Sequence, residues 1–141
     1  MATTKVYLEH ANITVTNLAQ AVKFFQTAFP HFEIRGGGGE GLERWLHLGD
    51  DETYIALNQG DKEPVNNHPD YIQKGINHIG FVVSDVKGIA DRLEAAGFHR
   101  DYPKQVQQYR IRDYFADGDG NQYEFVQYLS DDPDQRNSYL D

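Results

Sequence analysis

Two histidines 68 positions apart, His10 in LEHANITV and His78 in INHIGFVV, anchor an internal repeat that spans most of the 141-residue chain. At this offset Val15 falls on Val83, Asn17 on Asp85, Val22 on Ala90, Phe25 on Leu93, Ala28 on Ala96, His31 on His99 and Leu57 on Phe125. Few of these matches are identities, and the frame is read without a gap. Helix caps, apolar phases and strand positions recur together, which chance does not supply as a set. Self-similarity at a fixed period marks one supersecondary unit used twice.

Each half reads as β-α-β-β-β, an α+β architecture. Strands are predicted at 7–15, 31–35, 43–48 and 53–58, then at 76–83, 98–102, 109–116 and 122–129. The first helix, NLAQAVKFFQTAF, has Asn17 as N-cap with Gln20 in the capping-box position. Its apolar face is Leu18, Ala21, Val22, Phe25 and Phe29, and Pro30 stops it. The second, DVKGIADRLEAAGF, is capped by Asp85. It carries Val86, Ile89, Ala90, Leu93 and Ala96 on one face and ends at Gly97. The run GGGG at 36–39 lacks the Lys-Ser/Thr of a phosphate loop and opens no helix, so it reads as a flexible hairpin loop. Module one spans about 5–60, a polar linker 61–75, module two about 76–130, and an extended acidic tail 131–141, all within a single domain.

Composition narrows the chemistry. There is no cysteine, so disulfides and thiolate ligands are excluded and any metal is held by nitrogen and oxygen. A formal net charge of −9 argues against nucleic acid or an anionic membrane as partner. No apolar run reaches membrane-spanning length, and MATTKVYLEH has no signal-peptide core. A cytoplasmic location is expected.

Strand alternation sorts the chemistry by face. Ile13 and Val15, and in the second half Ile79, Phe81 and Val83, mark the helix side. His10 and His78 therefore point to the other side of the sheet. In the last strand, Tyr123, Phe125 and Gln127 share one face and Glu124, Val126 and Tyr128 the other. Arg110, Arg112 and Tyr114 alternate onto one side of YRIRDYF. Asp117 and Asp119 do not form a calcium loop, because Gln122 and Tyr128 stand at its sixth and twelfth positions. DGDGN reads instead as a turn using Gly118 and Gly120. His47 aligns with Phe115 and is expected on the helix side. His31 and His99 lie at helix ends, and His68 is in the linker. Glu43 is a candidate base of undetermined orientation.

Two such modules, each opening on a histidine strand and the second closing on DGDG-x-x-x-E, resemble the vicinal oxygen chelate superfamily over about residues 5–130. That superfamily includes glyoxalase I, extradiol dioxygenases, methylmalonyl-CoA epimerase, fosfomycin resistance proteins and bleomycin-binding proteins. The resemblance implies curled mixed sheets forming an open barrel, with ligands drawn from the first and last strands of the modules. The matching positions are His10, Ala56, His78 and Glu124. Ala56 departs from the four-ligand glyoxalase I pattern, leaving two histidines and one carboxylate. This set suits one divalent transition metal (Fe, Mn, Ni, Co or Zn) with open positions for a chelating substrate.

The resemblance further implies a metal-dependent lyase, isomerase or extradiol-type dioxygenase acting on a small molecule. Glu124 and Tyr114 are the candidate catalytic residues, and Arg112, Arg110 and Lys104 the candidate substrate-binding ones. Lys104 and Tyr114 match a lysine and a tyrosine of fosfomycin-resistance thiol transferases, although KQVQQYRIR has none of their serines. The alternatives are a fosfomycin-resistance-like enzyme and a metal-free sequestering protein of the bleomycin-resistance type. Members are commonly homodimers with sites shared between chains.

Overall fold

The computed structural model of the chain describes residues 6–62, 71 and 74–139. The chain divides into two compact units, Met1–Glu63 and Pro64–Asp141.

In the first unit, β1 (His10–Val15) leads into α1 (Leu18–Ala28). There follow β2 (Glu33–Gly38), a short 3-10 turn (Gly41–Glu43), β3 (Trp45–Gly49) and β4 (Tyr54–Gln59). The second unit comprises β5 (His78–Val82), α2 (Val86–Ala95), β6 (His99–Val106), β7 (Arg110–Ala116), β8 (Gln122–Tyr128) and α3 (Pro133–Arg136). Each unit forms one four-stranded mixed sheet, ordered β1-β4-β3-β2 and β5-β8-β7-β6. In each, the first strand pairs in parallel with the last and the other ladders are antiparallel. No described helix is long and apolar enough to cross a membrane.

The helices form where the caps place them. Asn17 accepts from the Gln20 amide and Asp85 from the Gly88 amide, each at 3.0 Å. Gly97 takes φ +92°, the left-handed conformation that ends α2. The buried face of α1 is Leu18, Ala21, Phe24, Phe25 and Ala28. Phe24 thus takes the place expected of Val22, which is only half-buried. α1 and the apolar alternation of β3 and β4 (Leu46, Leu48, Ile55, Leu57) supply the first unit's core. Val86, Ile89, Leu93, Phe115, Tyr123 and Phe125 supply the second.

A further tie recurs at the 68-residue offset. Gln59 Oε1 accepts from the Leu18 amide at 3.4 Å, and Gln127 Oε1 from the Val86 amide at 3.0 Å. In each unit the last strand satisfies a first-turn N–H of the helix, one of the donors a helix leaves unpaired.

The structure corrects several expectations. The repeat needs more than one gap: through their partners Gly49 and Ala116, Glu33 corresponds to His99, so His31 does not fall on His99. β3 pairs His47 with Ala56, whereas β7 pairs Tyr114 with Glu124. Since Ala56 and Glu124 correspond, the counterpart of His47 is Tyr114, not Phe115. The connection 117–121 is one residue longer than 50–53, and a one-residue slip exchanges faces. His47 therefore lies on the face of Ala56, away from α1.

The four glycines are not a loop. Gly36, Gly37 and Gly38 belong to β2 and pair with β3. A Cβ at Gly37 would lie 2.8 Å from the Trp45 carbonyl, and one at Gly38 would lie 3.3 Å from the Trp45 ring. Close approach to Trp45 requires glycine there. Gly39, at φ +72°, makes the turn.

The tail is not wholly extended, since Asp132 caps α3 by accepting from the Asp134 amide at 3.0 Å. In the DGDGN turn, Gly120 adopts φ +82°; Gly118 takes no positive φ. Asp117 holds the turn by accepting from the Asp119 and Asn121 amides, both at 2.9 Å, and from the Tyr123 hydroxyl at 3.1 Å. Residues 63–70, 72 and 73 of the expected linker, including His68, lie outside the described residues.

Candidate metal centre

Ladder register builds the second unit's site. Glu124 on β8 stands between Tyr114 on β7 and Gly80 on β5, and His78 lies two residues before Gly80 on the same face. The Tyr114 hydroxyl donates to Glu124 Oε1 at 2.6 Å. His78 Nε2 lies 3.7 Å from Glu124 Oε2, beyond hydrogen-bonding distance. Arg112 Nη1 lies 3.9 Å from Oε1. A Cβ built on Gly80 would fall 3.1 Å from Oε2, so glycine leaves that oxygen open.

Burial, and then the hydrogen bond and negative charge of Glu124, raise the Tyr114 phenol above its ordinary range. It is a proton donor at neutral pH. Its ring meets His78 edge-on at 5.9 Å and Tyr102 at 5.2 Å.

The residues fit a divalent ion on two counts. First, His78 Nδ1 lies 2.7 Å from Asn77 Oδ1, and His10 Nδ1 lies 2.8 Å from Glu9 Oε1. An Nδ1–H donating to these oxygens leaves each Nε2 lone pair for a metal, the usual outer-shell arrangement of ligating histidine. Second, two donors each about 2.0–2.2 Å from an ion stand roughly 3–3.6 Å apart, close to the separation of His78 Nε2 and Glu124 Oε2. Among the described residues, no group of three or more His, Asp or Glu side chains is gathered around a metal-sized position. The observed pair is His78 with Glu124; His10 belongs to the first unit.

In that unit, Ala56 occupies the place of Glu124. The surrounding face is aromatic and basic. His10 stacks on Tyr54 at 4.6 Å with 10° between planes, and His47 stacks on Tyr54 at 4.6 Å. Arg35 lies over the Tyr54 ring at 4.4 Å, and Trp45 is 5.0 Å from His47. The Asn58 amide donates to Asn12 Oδ1 beside Ala56.

The other predicted residues are distributed as follows. Arg112 is on the Glu124 face, with Nη2 donating to Gln107 Oε1 at 3.0 Å and a buried Nε without a hydrogen-bond partner. Arg110 shares that face but is buried and committed. Its Nε donates to Gln107 Oε1 and its Nη1 to the Ser138 carbonyl, both at 2.8 Å. Lys104 is exposed, and its charge acts on Asp91 beside α2. Glu43 is exposed in the 3-10 turn, and His99 is exposed at the start of β6. His31 Nε2 lies 3.4 Å from Asp50 Oδ2.

Sequence reasoning did not single out Glu9, Asn77, Tyr54 or Gly80. Glu9 and Asn77 were nonetheless detectable, because both immediately precede the repeated histidines.

Paired βαβββ modules, each opening on a histidine strand and one closing on a carboxylate, define a glyoxalase-like class. The family model described as Glyoxalase/Bleomycin resistance protein/Dioxygenase superfamily matches residues 7–125. The chain belongs to that superfamily. Its structure is similar to a glyoxylase/bleomycin resistance protein/dioxygenase domain from Frankia sp. EAN1pec, with TM-score 0.73 and 18% identity, covering 96% of this chain and 100% of that one. It is also similar to the genomically encoded fosfomycin resistance protein FosX of Listeria monocytogenes, with TM-score 0.68, 21% identity and coverage of 94% and 99%. FosX of Mesorhizobium loti gives 0.67, 19%, 94% and 98%. No curated protein matches the chain.

Proposed function

We propose that the protein is a divalent-metal-dependent enzyme acting on a small, oxyanion-bearing substrate that chelates through neighbouring oxygens. His10, His78 and Glu124 hold the ion, and the two modules serve this chemistry as one domain. The observation that carries the reading is the His78–Glu124 pair, with one nitrogen and one oxygen facing each other at 3.7 Å across the gap left by Gly80. When bound, the ion supplies Lewis-acid polarisation of substrate oxygen. Tyr114 fixes the Glu124 carboxylate. Arg112 offers its guanidinium charge, on the Glu124 face, to a substrate oxyanion. Ala56 leaves open the position that a fourth ligand would fill. The protein acts in the cytoplasm as a homodimer.

Mn(II) is the first ion to test, since the Listeria FosX has been crystallised with Mn(II) and sulfate, and a variant of it with Mn(II) and 1S,2S-dihydroxypropylphosphonic acid. Protein stripped with chelator and titrated with Mn(II) should take up one equivalent per chain. Uptake below about a tenth of an equivalent, with Fe(II), Ni(II), Co(II) and Zn(II) equally inert, leaves the sequestering reading instead. Epoxide opening is one of the possible reactions, alongside isomerisation, lyase-type proton transfer and ring cleavage. Fosfomycin with the Mn(II)-loaded protein, followed by phosphorus NMR, tests it directly.

A further inference from the structure

We infer that Glu9 and Tyr54 are positioning residues that clamp His10, making it the better-oriented of the two histidines. The inference rests on the metal-binding reading above and concerns only the first unit's own residues.

Two contacts close on one imidazole. Glu9 Oε1 takes His10 Nδ1 at 2.8 Å. The Tyr54 ring lies flat against His10 at 4.6 Å. The parallel register that pairs His10 with Tyr54 sets this up. Tyr54 is itself held by the Arg35 guanidinium at 4.4 Å and the His47 ring at 4.6 Å. One hydrogen bond sets the tautomer and the stack sets the ring plane, so both coordinates that aim Nε2 are fixed.

The second unit lacks this clamp. At the corresponding positions Asn77 replaces Glu9 and Gln122 replaces Tyr54. Gln122 pairs with His78 in the same register but its side chain donates to Asp101 at 3.0 Å. His78 is therefore steered mainly by Asn77 and by the Tyr114 edge.

The test uses the full chain and Mn(II). Glu9→Gln, which gives His10 the kind of partner His78 has, should weaken Mn(II) binding by about tenfold. Tyr54→Leu should do the same, whereas Tyr54→Phe, which keeps the stack, should stay close to wild type. Nitrogen-15 NMR of the metal-free protein provides an independent readout: His10 should be held as the Nδ1–H tautomer in the wild type and become a mixture in Glu9→Gln. Mn(II) affinities within twofold of wild type for Glu9→Gln and Tyr54→Leu, with an unchanged tautomer, would overturn the inference. So would a lowered melting temperature with the His10 tautomer unchanged, because that is purely structural support. If the wild type takes up no Mn(II) at all, the metal-binding reading fails, and the tautomer measurement alone decides the clamp.

Discussion

Tyr114 and Glu124 face each other across the β7–β8 ladder, and the phenol donates to the carboxylate at 2.6 Å. The bond occupies Oε1 and leaves Oε2 turned toward His78 and Gly80. A carboxylate anchored through one oxygen presents the other in a fixed direction, which a metal ligand requires. Tyr114→Phe should keep the fold and weaken Mn(II) binding by about tenfold, read by titration against an unchanged circular dichroism spectrum.

Gly80 provides the space in front of that oxygen. Gly80→Ala places a methyl group about 3.1 Å from Oε2, and Gly80→Val a larger group. Metal affinity should fall from wild type to Ala to Val. Because Gly80 is not at positive φ, an alanine there relieves backbone entropy in a strand, and thermal stability should hold or rise. Loss of stability together with unchanged metal affinity would contradict this role.

The buried carboxylate of Asp113 marks the opposite face of the same strand. Arg100 meets it in a two-point fork, Nε to Oδ1 and Nη2 to Oδ2, each 2.7 Å. Asp113 is fully buried while Arg100 is partly exposed. Arg100→Met leaves a buried, unpaired charge and should cost about 3 kcal/mol, the lower end for breaking such a pair because solvent reaches the arginine side. Urea unfolding measures it. The double variant Arg100→Met, Asp113→Leu should recover most of the loss.

Two buried phenols set an alkaline limit. Burial, and then the charge of Asp117, push Tyr123 well above its ordinary range; burial and Glu124 do the same to Tyr114. An unfolded tyrosine ionises near pH 10. Between about pH 10 and the higher folded values the unfolded chain binds fewer protons than the folded one, so stability falls as pH rises. Below about pH 10 both forms are protonated and the contribution is constant. Each tyrosine adds up to about 1.4 kcal/mol of loss per pH unit within its window. Urea unfolding from pH 9 to 11 should show this fall, and Tyr123→Phe should make it shallower.

The proposed homodimer, with His10 of one chain meeting His78 and Glu124 of the other, gives a complementation test. His10→Ala and Glu124→Ala chains should each be inactive in the metal-dependent reaction, and mixing and refolding them should restore part of the activity. Absence of recovery in a confirmed mixed dimer would place all three ligands in one chain.

How much of this was legible in the sequence depends on the range of the forces involved. Caps, helix faces and strand alternation act within a few residues. Asn17, Asp85, Gly97 and the separation of Glu124 from Tyr123 and Phe125 could therefore be read directly. Period two alone put Arg112 and Tyr114 on one face of their strand; that Glu124 shares it rests on the β7–β8 register.

The pairing partners were different in kind. Hairpin register is set by turn length, and one extra residue in 117–121 makes Tyr114, not Phe115, the counterpart of His47, while Glu33, not His31, is the counterpart of His99. β2 runs into the glycines because Trp45 lies close alongside, a neighbour that strand propensity does not register. Arg110 alternates correctly with Arg112, yet it is bound to Gln107 and Ser138 and so offers little to a substrate. The sequence by itself determined the duplicated βαβββ plan and which side chains of a single strand or helix share a face, because those depend on local geometry repeated twice. Only the tertiary structure decided which residues contact the proposed ligands — Tyr114 on Glu124, Asn77 on His78, Glu9 and Tyr54 on His10 — because those contacts depend on ladder register and side-chain direction.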